Sequence, residues 1–344
     1  SDGTKDGGYL TANWSILKAK ESMTKVSRKF GIKVLFFDGR GGPPARGGGN
    51  THQFYSSLGD FIESDEIQLT VQGQTISSNF GTVKSSQFNM EQLISSGIKN
   101  RILSNSEVFN KKNRKTIEKL SSISYDSYKD FKNHPSFIPY LEKMSTIKYY
   151  SKTNIGSRPS KRGVKGEPFN FDKLRAIPFV GSWNQLKQNV PGFYGLGTSI
   201  NYFYKNNKIK DVKLLYQEVP FFRALVSNSM MSLTKSFFEL TSYMSKDEEF
   251  GEFWKIIHDE YILTKKMLLK ISNFKELMEN EPANKLSIQT RENVVMPLIT
   301  IQQYALQIVK EIESGDLDDK KISVFEKIIT RSLYGNINAS RNSA

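Results

Sequence analysis

The sequence predicts an α/β protein that is predominantly helical, and two observations support this fold class. In the first part of the chain, short β-type runs alternate with helical stretches and glycine-rich loops. From about residue 205 onwards, apolar residues recur at three- and four-residue spacing, which is typical of amphipathic helices. We therefore expect two regions, residues 1–205 and residues 206–344.

The first region contains three predicted strands and one clear helix start. A helix is expected to begin near Thr51, directly after a glycine-rich stretch. The segment 157–173 is polar, basic and interrupted by Pro and Gly, so it is expected to be an exposed loop. The predicted strands are KVLFF (33–37), IQLTV (67–71) and RAIPFVG (175–181).

The second region is expected to be helical throughout. Its helical stretches are residues 214–244, 252–280, 284–313 and 319–334. Met230 and Met231 are expected to pack within one of these helices. Large aromatic side chains are expected in the core, namely Trp14, Trp183 and Trp254.

Composition excludes several classes of protein. The chain has 344 residues, of which 38% are hydrophobic, and no apolar stretch approaches the roughly 20 residues of a membrane span. It has no cysteine and three scattered histidines, which excludes a disulfide framework and disfavours a zinc site. We expect a cytoplasmic protein with no membrane partner. The net charge of +14 indicates anionic partners, which could be nucleic acid, an acidic membrane surface or small phosphorylated substrates, and charge alone does not choose among them.

The stretch FFDGRGGPPARGGGN (36–50) holds two arginines in a glycine-rich loop directly after a predicted strand. This placement puts Arg40 and Arg46 at the carboxyl end of a strand, where α/β proteins build their active sites. Glycine lets backbone N–H groups approach an anion, and each guanidinium suits a carboxylate or phosphate. A flexible surface loop is the plain alternative. An RNA-binding RGG tract is disfavoured because the motif occurs once, and a Walker loop is excluded because no Gly-Lys-Ser/Thr follows.

Three further clusters contain charged residues that suit an anionic ligand. At the start of the chain, Asp2, Lys5 and Asp6 combine oxygen ligands with a cation in what is expected to be a loop, although they could be solvated surface charges. Arg175 heads an apolar segment and needs a partner, either a structural carboxylate or a substrate anion. The basic residues Arg158, Lys161 and Arg162 precede it, and Arg341 with Asn342 stands at the carboxyl end.

The motifs SDGTKDGGYL, FDGRGGPPARGGGNTH, GSRPSKR, LRAIPFVGSWNQ, VPGFYGLGTSI and RNSA, in this order, resemble successive motifs of phosphoenolpyruvate carboxylase. The resemblance implies a (β/α)₈ barrel with added helices, here its C-terminal part followed by a large helical region. It also implies a cytoplasmic homotetramer that joins bicarbonate to phosphoenolpyruvate with Mg²⁺ or Mn²⁺. Because the family's catalytic histidine and glutamate metal ligand would lie upstream of Ser1, this chain is expected to be inactive alone.

The resemblance also implies roles for individual residues. Asp2 corresponds to a metal ligand and Lys5 to a nearby lysine. Arg40 and Arg46 correspond to the loop arginines that hold carboxyphosphate and CO₂, and Arg158 and Arg175 to arginines of the substrate site. An inhibitory site for aspartate or malate is implied at Arg46, Lys235, Arg291 and Asn342.

Four departures from the family pattern are visible. Asp38 stands where a histidine usually precedes the first loop arginine, so either other residues make that contact or Asp38 pairs with Arg40. Pro43 and Pro44 stiffen the loop. NQLKQ lacks an arginine that is common in this motif, and the chain ends in Asn-Ser-Ala rather than Asn-Thr-Gly. The alternative function is a basic module that binds nucleic acid or another polyanion, and steep salt dependence would reveal it.

Overall fold

A computed structural model describes residues 2–40, 42–49, 51–64, 66–71, 73–102, 109–152, 170–315 and 322–340. This part of the chain is predominantly helical and contains one two-stranded parallel sheet. The strands are β1 (Phe36–Arg40) and β2 (Ile67–Val71). The helices, in chain order, are α1 (Asp2–Gly7), α2 (Tyr9–Lys29), α3 (Thr51–Ser56), α4 (Gly73–Phe80), α5 (Val83–Ile102), α6 (Lys111–Lys132), α7 (Phe137–Met144), α8 (Ala176–Gln185), α9 (Leu196–Lys205), α10 (Ile209–Glu218), α11 (Pro220–Thr234), α12 (Gly251–Ser272), α13 (Pro282–Glu313) and α14 (Ile322–Ser340).

Two of the three predicted strands are present. β2 has the predicted bounds, whereas β1 begins at Phe36 and continues to Arg40, beyond the predicted 33–37. In the parallel register, Phe36 lies opposite Ile67 and Arg40 opposite Val71. Parallel strands cannot be joined by a tight turn, and here the 3₁₀ turn Pro44–Arg46 and α3 form the crossover.

The third predicted strand, RAIPFVG, is wrong, because this segment forms α8. Its residues are buried on almost every side, and a short apolar run of this kind does not distinguish a strand from a buried helix. Arg175 has an extended backbone and immediately precedes α8, while Pro178 lies in the first turn, where a missing N–H is tolerated. Arg175 therefore begins a helix rather than a strand.

The expected loop at the start of the chain is also wrong, because Asp2–Gly7 forms α1. Gly8 separates α1 from α2 with a left-handed φ of 81°, and a Cβ there would lie 3.1 Å from the Tyr128 ring. The helix expected near Thr51 is confirmed by α3. Helices α10 to α14 confirm the helical second region, although a 3₁₀ segment at 238–246 interrupts the predicted helix 214–244.

Among the residues that the structure describes, three apolar clusters form the core. The largest joins residues from both predicted regions, as in the contact of Trp14 with Phe221 at 6.4 Å between ring centroids. The second surrounds Trp183, and a smaller third cluster lies between α13 and α14. The three tryptophans expected in the core are all buried. The predicted division near residue 205 is crossed by a continuous core and stays a prediction.

Candidate functional site

The glycine loop after β1 is folded upon itself. The N–H groups of Arg46 and Gly48 both donate to the Pro43 carbonyl, at 2.9 and 3.0 Å. The N–H of Gly47 donates to the Pro44 carbonyl at 3.0 Å, and its φ of 83° requires glycine. The two prolines fix φ on the way into the turn. The loop is therefore a compact turn that presents its two arginines in defined directions.

Arg40 is the last residue of β1 and is 9% exposed. Its guanidinium carbon lies 4.1 Å from the centre of the Phe54 ring, in a cation–π contact. Nε and Nη2 are buried and have no hydrogen-bond partner. Burial lowers the pKa of Arg40, and neighbouring Tyr55, Tyr9 and Asp38 oppose that shift.

Arg46 lies in the 3₁₀ turn and is 3% exposed. Its Nε and Nη1 are buried and also have no hydrogen-bond partner. Burial lowers the pKa of Arg46 to about 10, against the electrostatic effect of Asp2 and Tyr150. The fold therefore brings Arg46 close to α1 and its acidic first residue.

Lys5 of α1 is buried and already has partners. Its ammonium group lies 2.8 Å from the Asp6 carboxylate, donates to the Phe171 carbonyl at 3.3 Å and lies 4.5 Å from the centre of the Phe171 ring. Asp2 is exposed at the start of the same helix. Within the described ranges, no group of three or more His, Cys, Asp or Glu side chains could hold a metal ion.

Arg175 is the third arginine with an unsatisfied buried nitrogen. Its Nε has no hydrogen-bond partner, and no carboxylate among the residues placed by the structure forms an ion pair with it. The expectation of a structural carboxylate is therefore not met within that part of the chain, which leaves the substrate-anion alternative open. Arg158 and Asn342, together with Lys161, Arg162 and Arg341, lie outside the described residues.

Lys235, directly after α11, and Arg291 of α13 both line two neighbouring cavities. The larger cavity has a volume of about 460 Å³ and reaches Arg40, and the smaller one has about 40 Å³. Burial, with Lys187 and Arg291 nearby, lowers the pKa of Lys235 to about 8. Arg46 is absent from the lining of both cavities.

Sequence reasoning missed Lys187. It is 4% exposed, has a left-handed φ of 55°, and its ammonium group pairs with Glu292 at 2.5 Å. Burial lowers its pKa despite that partner. Lys187 lies in the NQLKQ stretch that lacks the common arginine, so this stretch still supplies a cation. The available signal was a lone basic residue between the apolar stretches 176–183 and 190–196.

Sequence reasoning also left the partner of Asp38 open. Asp38 does not hydrogen-bond to Arg40, since both of its oxygens bind other groups. The Lys20 ammonium donates to Oδ1 at 2.7 Å and to Oδ2 at 2.6 Å, and the Tyr55 hydroxyl donates to Oδ2 at 2.8 Å. The pairing of Asp38 with Arg40 is therefore not formed.

A comparison with known protein families finds one family whose model covers nearly the whole chain. The model of the family described as phosphoenolpyruvate carboxylase matches residues 1–339 of the 344 residues. This match includes the glycine loop, the segment that begins α8, and the helices that carry Lys235 and Arg291. The chain therefore belongs to the phosphoenolpyruvate carboxylase family.

Proposed function

We propose that this chain supplies the C-terminal part of an active site that carboxylates phosphoenolpyruvate with bicarbonate, giving oxaloacetate and phosphate. One observation carries the proposal. Within the ranges placed by the structure, the arginines with buried nitrogens that lack a hydrogen-bond partner are Arg40, Arg46 and Arg175. Unsatisfied buried donors are costly, and an anionic substrate would satisfy them. The same three arginines correspond to substrate-site arginines of the family.

The reaction develops negative charge on several oxygens in turn. A bicarbonate oxygen attacks phosphorus, and the phosphorus bond to the enol oxygen breaks, leaving carboxyphosphate and the enolate of pyruvate. Carboxyphosphate then gives CO₂ and phosphate, and the enolate carbon attacks CO₂. We assign Arg40 and Arg46 to the carboxyphosphate and CO₂, and Arg175 to the substrate phosphate. Guanidiniums that are fixed before the reaction stabilise such charge without solvent reorganisation.

Arg158 and Lys5 complete the proposed catalytic set. Arg158 is assigned from its position in the SRP motif alone. Lys5 contributes a buried positive charge close to Phe171, shortly before the segment that leads to Arg175. Its ammonium group also pairs with the Asp6 carboxylate at 2.8 Å.

A divalent cation, Mg²⁺ or Mn²⁺, is proposed as the cofactor because the chain belongs to this family. Asp2 would supply one carboxylate ligand. Mg²⁺ prefers octahedral oxygen coordination, which one carboxylate provides poorly. The described residues therefore do not form a complete metal centre, and the remaining ligands would come from elsewhere in a longer polypeptide.

The sheet supports the proposal of a longer polypeptide with a barrel. Each strand of the sheet pairs on one edge only within the described residues, and Phe37 on the outward face of β1 is 67% exposed. Parallel sheets are ordinarily covered on both faces. Further strands of a (β/α)₈ barrel would form hydrogen bonds with the unpaired strand edges.

We propose that the complete enzyme is a cytoplasmic homotetramer and that the chain alone is inactive. Among the placed helices, none is both long and apolar enough to cross a membrane.

An inhibitory site for aspartate or malate is proposed at Lys235, Arg291, Arg46 and Asn342. The juxtaposition of Lys235 and Arg291 beside a cavity supports it. Since Arg46 lines neither cavity, inhibitor binding would require its guanidinium to move towards Lys235 and Arg291. Such a change would remove a catalytic arginine while the inhibitor is bound.

The test is oxaloacetate formation from phosphoenolpyruvate and bicarbonate with Mg²⁺, measured in this chain, in the longer polypeptide and in its Arg46→Ala variant. We expect activity in the longer polypeptide, none in the chain alone, and a loss of about 10²- to 10³-fold in kcat for Arg46→Ala.

Arg28→Ala provides a matched control, because Arg28 is exposed and pairs with Glu63 at 3.3 Å, away from the loop. It should retain normal activity. A longer polypeptide that is inactive in every condition, or an Arg46→Ala variant as active as Arg28→Ala, would contradict the proposal.

A further inference from the structure

We propose that Lys20 and Tyr55 are positioning residues that hold Asp38 away from Arg40 and thereby keep the Arg40 guanidinium available to a small oxyanion. This inference rests on the proposed function, because the anion there would be a reaction component. It concerns residues that no family motif quoted above includes, except Asp38 and Arg40 themselves.

The alternation of side chains along β1 places Asp38 and Arg40 on the same face of the strand. Alternate side chains of a strand share one face, so Phe36, Asp38 and Arg40 all point inward. A carboxylate is thereby placed two residues before a buried guanidinium, close enough to affect its pKa. Asp38 is the natural competitor of any anionic ligand for Arg40, because a carboxylate and an oxyanion use the same guanidinium donors.

Two residues from two other elements bind the Asp38 carboxylate instead. Lys20 of α2 reaches both carboxylate oxygens, and its side chain is 8% exposed in this ion pair. The Lys20 ammonium also lies 5.0 Å from the centre of the Phe36 ring, which restricts it to this position. Tyr55 of α3 adds the third hydrogen bond to the same carboxylate.

Tyr55 is itself held in place by the fold. Asn100 of α5 donates to the Tyr55 carbonyl at 2.6 Å, and the Tyr55 ring is 3% exposed. The same ring lies 5.6 Å from the guanidinium carbon of Arg40. Tyr55 therefore contacts both members of the pair that it helps to keep apart.

The result is an asymmetry between two neighbouring charges. Asp38 receives three short hydrogen bonds, whereas Arg40 keeps two buried nitrogens without a partner and lines the cavity of about 460 Å³. Buried arginines in proteins are almost always paired, so an unpaired Arg40 beside a carboxylate is unusual. The pairing of Asp38 with Lys20 leaves the local charge at Arg40 positive, which favours an anion.

The experiment measures the affinity of this chain for inorganic phosphate by titration calorimetry at pH 7. Arg40→Gln defines the part of the binding that depends on Arg40. In Lys20→Met, the freed carboxylate should pair with Arg40 and lower that affinity about tenfold, which corresponds to ~1.4 kcal/mol. Adding Asp38→Asn to Lys20→Met removes the competitor and should restore the affinity to within about threefold of the wild type, or ~0.7 kcal/mol.

The single variant Asp38→Asn should bind phosphate at least as tightly as the wild type. If Lys20→Met does not fold, this variant and the double variant together test whether Asp38 competes for Arg40. Lys18→Met is the matched control, since Lys18 lies on the same helix and pairs with Glu118 on the exposed surface. It should leave phosphate affinity unchanged.

Three results would overturn the inference. They are a folded Lys20→Met with normal affinity, a double variant that binds as weakly as Lys20→Met, and a wild-type chain whose phosphate binding does not depend on Arg40. Absence of oxaloacetate formation in the longer polypeptide would contradict the proposed function, while the phosphate pattern across these variants would still decide the role of Lys20.

Discussion

At the scale of single residues, the site is made of buried cations of which only some have an ion pair or a full set of hydrogen bonds. Lys187 has Glu292 and Lys5 has Asp6, whereas Arg40, Arg46 and Arg175 each keep buried nitrogens without a partner. Buried polar groups in native proteins are nearly always hydrogen-bonded, so unsatisfied groups mark places where function outweighs stability. The sequence pointed to all three arginines because each occurs in a recognisable motif.

Lys235 gives a pH-dependent prediction at this scale. Its pKa is lowered to about 8, so its charge is present below pH 8 and is lost as the pH rises through 8. Lys187, Arg291 and Glu292 face it, and the two cations favour the loss of its proton. We therefore expect aspartate to bind with falling affinity between pH 7 and pH 9, measured by calorimetry on the longer polypeptide. The charge-conserving variant Lys235→Arg should bind with little change over this range. Identical pH profiles for the wild type and the variant would exclude Lys235 as the titrating group.

The lowered pKa of Lys235 also makes the free energy of unfolding depend on pH. The unfolded chain holds the Lys235 proton up to its ordinary pKa near 10.5, whereas the folded chain releases it near 8. Because the unfolded state binds more protons in this window, stability should rise as the pH increases from 8 to 10.5. Lys235→Met should remove this rise, as urea unfolding at pH 7.5 and pH 10 would show. A rise of the same size in the variant would assign it to another group.

At the scale of elements, a close helix contact gives a sharp prediction. In α9, a Cβ on Gly197 would lie 2.6 Å from the backbone nitrogen of Thr264 in α12. Gly197→Ala should therefore destabilise the chain by about 1–3 kcal/mol in urea unfolding, since overpacking forces the two helices apart.

Gly97 of α5 is the matched control for this substitution. It is also a helical glycine, but a Cβ there would meet nothing within 4 Å. Gly97→Ala should stabilise the chain by about 0.5–1 kcal/mol, because alanine loses less backbone entropy in a helix. Equal effects of the two substitutions would show that α9 and α12 can separate at little cost.

The elements also show where prediction from sequence succeeds and fails. Helical periodicity identified the second region, and the short run 67–71 identified β2, because patterns of apolar residues reflect burial on one face. The failure at α8 has the opposite origin, since its residues are buried on nearly all sides and leave no periodic pattern. The network of Lys20, Asp38 and Tyr55 could not be predicted, because it joins α2, β1 and α3 through contacts that no local pattern encodes.

At the scale of the whole molecule, the sheet edge predicts self-association. Unpaired strand edges with exposed apolar side chains are templates for intermolecular pairing. Phe37→Lys should therefore reduce the concentration-dependent association of this chain, measured by light scattering. Tyr304→Lys is the control, because Tyr304 is similarly exposed, at 65%, but belongs to the helix α13 rather than to a strand. If Tyr304→Lys reduces the association as much as Phe37→Lys does, the effect would come from the added charge alone.

The core contact between Trp14 and Phe221 joins two residues that are synthesised at widely different times. Ribosomes add roughly 5–20 residues per second, so roughly ten to forty seconds pass between the emergence of these two side chains. During that interval α6 and Phe109 cover part of the apolar face of α2, and the rest of the cluster waits for α11. The large core cluster is therefore completed only after α11 has been synthesised, and a pause placed after residue 221 should aid folding more than one placed near residue 205.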